Sequence, residues 1–220
     1  MSYACPRSGD FDEVRALNAA FLAVLRSQAE PQRRLDGLER RLAQRLLNLE
    51  DRQVERLATV PMLLMSFCED DEAVWEPQRV HEPVTDPDAF VPAESGCARL
   101  QAAGLGFVWQ LARRDPYSLR LLTGVTLHWC ECIADQPFLS VLKLASGHSE
   151  LPVLRASRET RVWRKLLSDG VSQTRVVREA AHMSSLQMRL TLSGRTGTRW
   201  ASAACRMGAP SFVLRGDAVK

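Results

Sequence analysis

Apolar residues in this chain recur at spacings of three and four, but proline and glycine repeatedly interrupt the pattern. The spacing predicts amphipathic helices, each burying one stripe of side chains. Proline ends such helices because it lacks the backbone N–H and its ring clashes with the preceding turn. Short helices broken in this way pack at steep angles rather than as long antiparallel rods. The fold class predicted for the 220 residues is therefore all-α, a bundle of short helices.

The first helices are placed by their capping residues and breakers. Residues 11–28 are predicted to form a helix that Asp10 caps, and Pro31 marks the break after it. Residues 33–47 are predicted to form a second helix, with its arginines outside a stripe of leucines. Asn48 is predicted to cap a third helix, because its side chain can accept a bond from the first turn.

The same signals place the later helices. In the middle of the chain, one helix is predicted to end at Asp115-Pro116 and another at Gly124, and two more are predicted at 127–134 and 137–145. In the last third, each of three serines is predicted to cap a helix, and residues 211–214 are predicted to form a strand. The three serines are Ser157, Ser172 and Ser184.

Residues 69–96 differ from the rest because they hold nine acidic side chains and four prolines. Prolines at this spacing exclude a long helix. The segment is predicted to be an acidic, proline-rich linker or a loop wrapped over the surface, pinned by Trp75 and Phe90. It separates an N-terminal helical part, 1–68, from a central helical part, 97–150. The last part, 151–220, is predicted to be helical and basic, with a mobile tail.

The basic part carries 13 Lys or Arg and 4 Asp or Glu, a net charge of +9. The first 150 residues carry 16 basic and 22 acidic side chains, a net charge of −6. An asymmetry of this size predicts an anionic partner for one end of the molecule.

Residues 172–190 have the spacing of a helix, a turn and a second capped helix. The stretch VREAAHMSSLQMRL resembles the helix-turn-helix of bacterial transcription regulators, with Met183-Ser184 at the turn. Arg178 and His182 stand where that family usually has a small residue and a glycine. The resemblance implies a recognition helix that begins at Ser184. The alternative is a pair of ordinary surface helices with solvated cationic faces.

The residues expected to contact DNA fall into two groups. Arginine and lysine neutralise phosphates, whereas serine at a helix N-terminus and glutamine contact phosphates and base edges. The predicted phosphate contacts are Arg164, Lys165, Arg175, Arg178 and Arg189. The residues predicted to lie closest to the bases are Ser184, Ser185 and Gln187.

The N-terminal helices carry a second pattern. It consists of a leucine-rich helix containing Asn18 and Arg26, then Gln53, Leu57 and Ala58, and an apolar turn that closes at Phe67 and an acid. In these features, residues 17–71 resemble the D subunit (FlhD) of the bacterial flagellar transcriptional activator. The resemblance implies an all-helical, oligomerising bacterial regulator. The chain has no zinc-type cysteine cluster of the kind that the partner subunit of that activator uses.

Other chemistry has little support in the sequence. His128 and Cys132 share one face of a predicted helix, but Cys130 points away, and a structural zinc site needs four ligands. The sequence contains no nucleophile elbow, no P-loop and no dinucleotide-binding glycine pattern. We therefore expect no metal, no other cofactor and no catalytic residues.

The cellular compartment is predicted from three features that the sequence lacks. The longest apolar runs, such as 60–65, fall far short of the roughly 20 residues that a membrane span needs. The N-terminus lacks the basic start and apolar stretch of a secretory signal. The six cysteines are neither dense nor patterned enough for a disulfide framework. A cytoplasmic protein without membrane contact is expected.

The first functional hypothesis is a non-enzymatic bacterial regulatory protein that binds DNA through its basic C-terminal helices. The alternative is a protein-interaction or adaptor module, a homodimer whose basic third docks on an acidic surface such as residues 69–96. An enzyme with dispersed catalytic residues is the third hypothesis. A deep pocket with strongly shifted titrating groups would indicate it.

Overall fold

Nine α-helices, one 3₁₀ helix and two short strands make up the part of the chain that the computed structural model describes. That part comprises residues 5–27, 31–69, 71, 75, 95–146, 148 and 151–196. The first elements are α1 Ser8–Ser27, the 3₁₀ helix Pro31–Leu35, α2 Arg40–Leu47, α3 Asp51–Ala58 and β1 Met65–Ser66. The later elements are α4 Gly96–Arg114, α5 Pro116–Thr123, α6 Leu127–Asp135, α7 Phe138–Ser146, β2 Val153–Leu154, α8 Thr160–Ser168 and α9 Arg175–Thr196. The prediction of an all-α bundle of short helices is confirmed.

Asp115 separates α4 from α5, as predicted. Its carboxylate accepts a hydrogen bond from the backbone N–H of Tyr117 in the first turn of α5, at 3.1 Å. Pro116 occupies the start of α5, where a helix has no backbone bond to lose. Gly124 ends α5 with a φ of 70°, in the left-handed region that favours glycine. Both predicted boundaries are confirmed.

The predicted helix at 33–47 is wrong in its first half. Gly37 has a φ of +84° and turns the chain between the 3₁₀ helix and α2. The N-cap of α3 is Glu50 rather than Asn48. The backbone N–H of Glu50 donates to the side-chain oxygen of Gln53 at 3.0 Å, which completes a capping box.

The start of α8 also differs from its prediction. Residues 155–158 form a turn in which Ala156 has a φ of 54°, so the helix cannot begin after Ser157. Glu159 is the N-cap instead. The helix ends at Ser168.

The predicted helix break at Met183-Ser184 is wrong. α9 runs without interruption from Arg175 to Thr196. His182 and Leu186, one turn apart on either side of the supposed break, are both buried. Because one buried face continues through this position, packing against α8 favours a single helix over a turn. Ser184 therefore does not begin a recognition helix.

All three helical parts contribute to one hydrophobic core. Phe21, Leu105 and Trp163, one from each part, belong to the same buried cluster. α1 packs against α3 and α4, α4 packs against α5, α6 and α7, and α8 packs against α2 and α9. The two strands pair antiparallel, with Met65 opposite Leu154. Residues 151–196 of the basic part are thus built into the fold rather than appended to it.

The start of the acidic segment belongs to the protein interior. Glu69 is buried, which corrects its prediction as part of a linker or surface loop. The indole N–H of Trp75 donates to the carbonyl of Phe67 at 3.1 Å, and its ring meets Trp129 edge-on at 5.4 Å between centroids. The predicted pinning by Trp75 is therefore confirmed. Phe90 and the predicted strand at 211–214 lie outside the described residues.

Candidate nucleic-acid interface

The buried residue Arg155 connects the start of the basic part to the rest of the protein through hydrogen bonds and an ion pair. Its backbone N–H donates to the carbonyl of Leu64 at 2.8 Å. Its guanidinium donates to the carbonyls of Met65 at 3.0 Å and Thr123 at 2.9 Å, and pairs with the carboxylate of Glu69. Because the Arg155 and Glu69 side chains are 2% and 3% exposed, this cluster holds the turn before α8 in a fixed position.

The Glu69 carboxylate is ionised in this cluster. Burial alone would raise its pKa, but the charge of Arg155 and the hydrogen bonds from Ser66 and Arg155 outweigh that effect. The pKa of Glu69 is therefore lowered from its ordinary value of 4.5. A second buried arginine, Arg34, donates to the carbonyl of Pro152 at 2.7 Å. Together the two arginines anchor the segments that precede α2 and α8.

α2 and α8 pack side by side. We call the exposed basic side chains of these two helices and of the turn before α8 the basic face. At their junction, a guanidinium nitrogen of Arg164 lies 3.8 Å from the carboxylate of Glu39. Arg158 lies against Gly37, where an added Cβ would come within 2.9 Å of the Arg158 Cγ. The basic face consists of seven side chains at least partly exposed to solvent: Arg40, Arg41, Arg45, Arg158, Arg161, Arg164 and Lys165.

Acidic side chains leave most of the basic face un-neutralised. Lys165 pairs with Asp169 at 3.3 Å, and Arg164 pairs loosely with Glu39. Such exposed pairs are weak, because water screens both charges. Within the described residues, no ion pair is formed by Arg40, Arg41, Arg45, Arg158 or Arg161. A surplus of positive charge therefore faces solvent.

A cleft of about 640 Å³ opens beside the basic face, between the start of α8 and the middle of α9. Arg158 and Arg161 belong both to the cleft and to the basic face. Glu159 also lines the cleft, and its carboxylate pairs with Arg189 at 2.6 Å. The other lining residues are Thr160, Val162, Ser184, Gln187, Met188 and Thr191.

Five of the eight predicted nucleic-acid contacts lie at this site. Arg164 and Lys165 belong to the basic face, and Ser184 and Gln187 line the cleft. Arg189 is 13% exposed and pairs with the cleft carboxylate described above. The Arg189 guanidinium is therefore occupied by an ion pair within the protein and is not placed to contact a phosphate.

The other three predicted residues lie elsewhere. Ser185 is completely buried, so the predicted contact of its side chain with bases is wrong. Arg175 is exposed at the start of α9 and pairs with Glu179 at 2.7 Å. Arg178 donates to the carbonyl of Ser172 at 2.9 Å and holds the loop before α9. The structure thus places Arg175 and Arg178 apart from the cleft.

Sequence reasoning missed five arginines of the basic face as site residues: Arg40, Arg41, Arg45, Arg158 and Arg161. The exposure of the α2 arginines follows from the sequence, because they lie outside the leucine stripe. Their position beside α8 does not, since it depends on long-range contacts. One of these, the bond from Arg34 to Pro152, joins residues 118 apart.

His128 and Cys132 of α6 lie together without a third potential metal ligand among the described residues. The sulfur of Cys132 lies 3.5 Å from Nε2 of His128, which confirms their predicted shared face. Burial raises the pKa of Cys130 to about 12, so its thiol stays protonated. Among the described residues, no three His, Cys, Asp or Glu side chains are grouped so that they could hold a metal ion.

None of the helices in the described ranges is long and apolar enough to cross a membrane. Comparisons of the chain with protein-family models, with curated proteins and with solved structures found no significant match. Function is therefore inferred from the geometry and charge of the site.

Proposed function

We propose that this chain is a bacterial, cytoplasmic regulatory protein that acts by binding nucleic acid rather than by catalysis. The basic face is its contact surface. The observation that carries the proposal is the packing of α2 against α8, because the two elements and the turn before α8 carry seven basic side chains that are at least partly exposed. The resemblance of residues 17–71 to FlhD supports a regulatory role, and α2 lies within that segment.

The composition of the basic face fits a phosphate backbone. Six of its seven side chains are arginines, whose planar guanidinium groups can donate two parallel hydrogen bonds to one phosphate. Arginine–phosphate contacts fix the position of a protein on nucleic acid but do not read its sequence. We therefore expect binding that depends strongly on charge and only weakly on base sequence.

Fluorescence anisotropy with a short labelled duplex tests the proposal. Neutralising a phosphate releases counterions, so affinity should fall steeply between about 50 and 200 mM salt. Five contacts, one for each arginine without an ion pair, predict that log K falls with log salt with a slope of about −4.5. Absence of binding at low salt, or a slope near zero, contradicts the proposal.

A second candidate function is a protein-interaction module, and the exposed apolar side chains of α9 favour it. Val176, Val177 and Met183 are 74%, 44% and 58% exposed. Val176, Ala180 and Met183 follow a spacing of four and three, as in the seam between paired helices. A second copy of the chain is the partner to test, because such a seam can pair with itself about a two-fold axis near Ala180.

The solution mass of the wild type and of Met183→Lys tests the second candidate. A dimer that becomes a monomer on this substitution supports it, because a lysine ammonium would be desolvated in the apolar seam. A contact between the basic third and an acidic surface would dissociate with rising salt instead. A wild-type monomer at low and high salt excludes the homodimer.

A further inference from the structure

The cleft between α8 and α9 combines a cationic edge, a polar side and apolar walls. Its volume of about 640 Å³ falls within the range of roughly 300–1,000 Å³ that is usual for small-molecule sites. Arg158 and Arg161 supply the cationic edge. Ser184, Gln187 and Thr191 supply the polar side from one stretch of α9.

Glu159 does not cancel the positive charge of this edge. Its carboxylate accepts a hydrogen bond from Arg189 at 2.6 Å, and the two side chains are 18% and 13% exposed. The pair carries no net charge, so Arg158 and Arg161 dominate the potential of the cleft. Thr160 and Arg161 in the first turn of α8 also line the cleft, where a helix dipole favours an anion. The cationic edge is therefore suited to a phosphate group.

The rest of the lining is suited to a nucleobase. The side-chain amide of Gln187 offers a donor and an acceptor together, which matches the paired groups on a base edge. The hydroxyl of Thr191 donates to the carbonyl of Gln187 at 2.9 Å and keeps its lone pairs for a ligand. Val162 and Met188 supply apolar surface, and the methionine sulfur makes favourable contacts with aromatic rings.

We propose that this cleft binds a nucleoside phosphate, with the phosphate at Arg158 and Arg161 and the base against Met188 and Gln187. The inference rests on the proposed function, because the cleft continues directly from the basic face that would hold the backbone. A base enters such a cleft only when it is unpaired and unstacked. The protein should therefore prefer single strands to duplexes. A free mononucleotide offers the same chemistry, and the experiment distinguishes the two sources.

The test compares Gln187→Glu in the cleft with Gln173→Glu before α9. Both glutamines are exposed, and both substitutions add one negative charge without changing side-chain size. Anisotropy is measured with a single-stranded oligonucleotide and with a duplex of the same sequence. Gln187→Glu should weaken single-strand binding about tenfold, as expected for the loss of one good base contact. Duplex binding should change little, and Gln173→Glu should change neither.

Calorimetric titration with adenosine monophosphate and with inorganic phosphate identifies the source of the ligand. If the protein binds the mononucleotide but no oligonucleotide, and Gln187→Glu weakens that binding, the cleft site is supported and the proposed function is overturned. If the protein binds single strands and duplexes and Gln187→Glu changes neither affinity, the cleft site is overturned and the proposed function is left intact. Absence of binding to oligonucleotides, mononucleotide and phosphate overturns both.

Discussion

The Arg155 guanidinium forms an ion pair with the carboxylate of Glu69, which lies 86 residues earlier in the chain, in the protein interior. Glu69 comes from the start of the acidic segment, and Arg155 comes from the start of the basic part. One acidic and one basic residue of these oppositely charged segments therefore pair in the protein interior, where the pair fixes the turn that leads into α8. The basic side chains of α8 itself, Arg161, Arg164 and Lys165, are exposed or partly exposed.

Glu69→Gln should destabilise the protein by about 3–5 kcal/mol, because it leaves the buried Arg155 charge uncompensated. Urea unfolding measures the change in the free energy of unfolding. Asp51→Asn is the matched control, since it removes the exposed partner of Arg26 and should cost about 1 kcal/mol or less. Equal losses in the two variants would show that the interior pair does not stabilise the fold.

The stability of the protein should depend on pH through Glu69. Its pKa is lower in the folded state than the ordinary value of 4.5, so its stabilising effect is complete above that value. The effect is lost as the pH falls through the folded-state pKa. The difference in unfolding free energy between wild type and Glu69→Gln should therefore shrink as urea unfolding is repeated from neutral pH to about pH 3. A difference that stays constant would count against an ionised Glu69.

Gly37→Ala should both destabilise the protein and weaken nucleic-acid binding. A side chain at a φ of +84° costs about 1–2 kcal/mol, and the new Cβ would displace Arg158 on the basic face. Gly9→Ala in α1 is the control, because no atom outside the adjacent residues and the backbone of α1 lies within 4 Å of the new Cβ there. It should leave binding unchanged and stability equal or slightly higher. Unfolding and anisotropy measurements that gave the same result for both variants would contradict the contact between Gly37 and Arg158.

Cys130 should be unreactive in the folded protein. The thiolate is the nucleophile in alkylation, and burial both raises the pKa of Cys130 to about 12 and blocks the reagent. Mass spectrometry after brief iodoacetamide treatment should show modification of the exposed Cys5 in the native state. Cys130 should be modified only after unfolding. Native modification of the two cysteines at similar rates would refute the buried position of Cys130.

Local signals in the sequence were sufficient where one residue decides a boundary. Asp115-Pro116 and Gly124 act through their own backbone and side-chain chemistry, so the helix ends they predict are the observed ones. Ser184 was misleading because serine is a favourable N-cap but is also tolerated inside a helix, and the burial of His182 and Leu186 on one face outweighs the capping preference.

The basic face could not be predicted from local signals. The sequence indicates that α2 has exposed arginines and that α8 has a cationic side, but nothing within either helix places one beside the other. The packing of α2 beside α8 depends on Arg34 and Arg155, which donate hydrogen bonds to backbone carbonyls far away in the chain. Buried arginines with carbonyl partners leave no periodic pattern in a sequence.

Charge reversal on α2 tests the central claim most directly, because α2 lies far from the basic third in the sequence. The double substitution Arg40→Glu with Arg41→Glu should weaken duplex binding by at least about tenfold. It should also reduce the magnitude of the slope of log K against log salt by about 2. The same charge change at Arg15 and Arg99, exposed on α1 and α4, is the control and should have little effect. Loss of binding in the α2 variant alone is the predicted result. Unchanged binding in that variant, or an equal loss in the control, would contradict a shared nucleic-acid surface on α2 and α8.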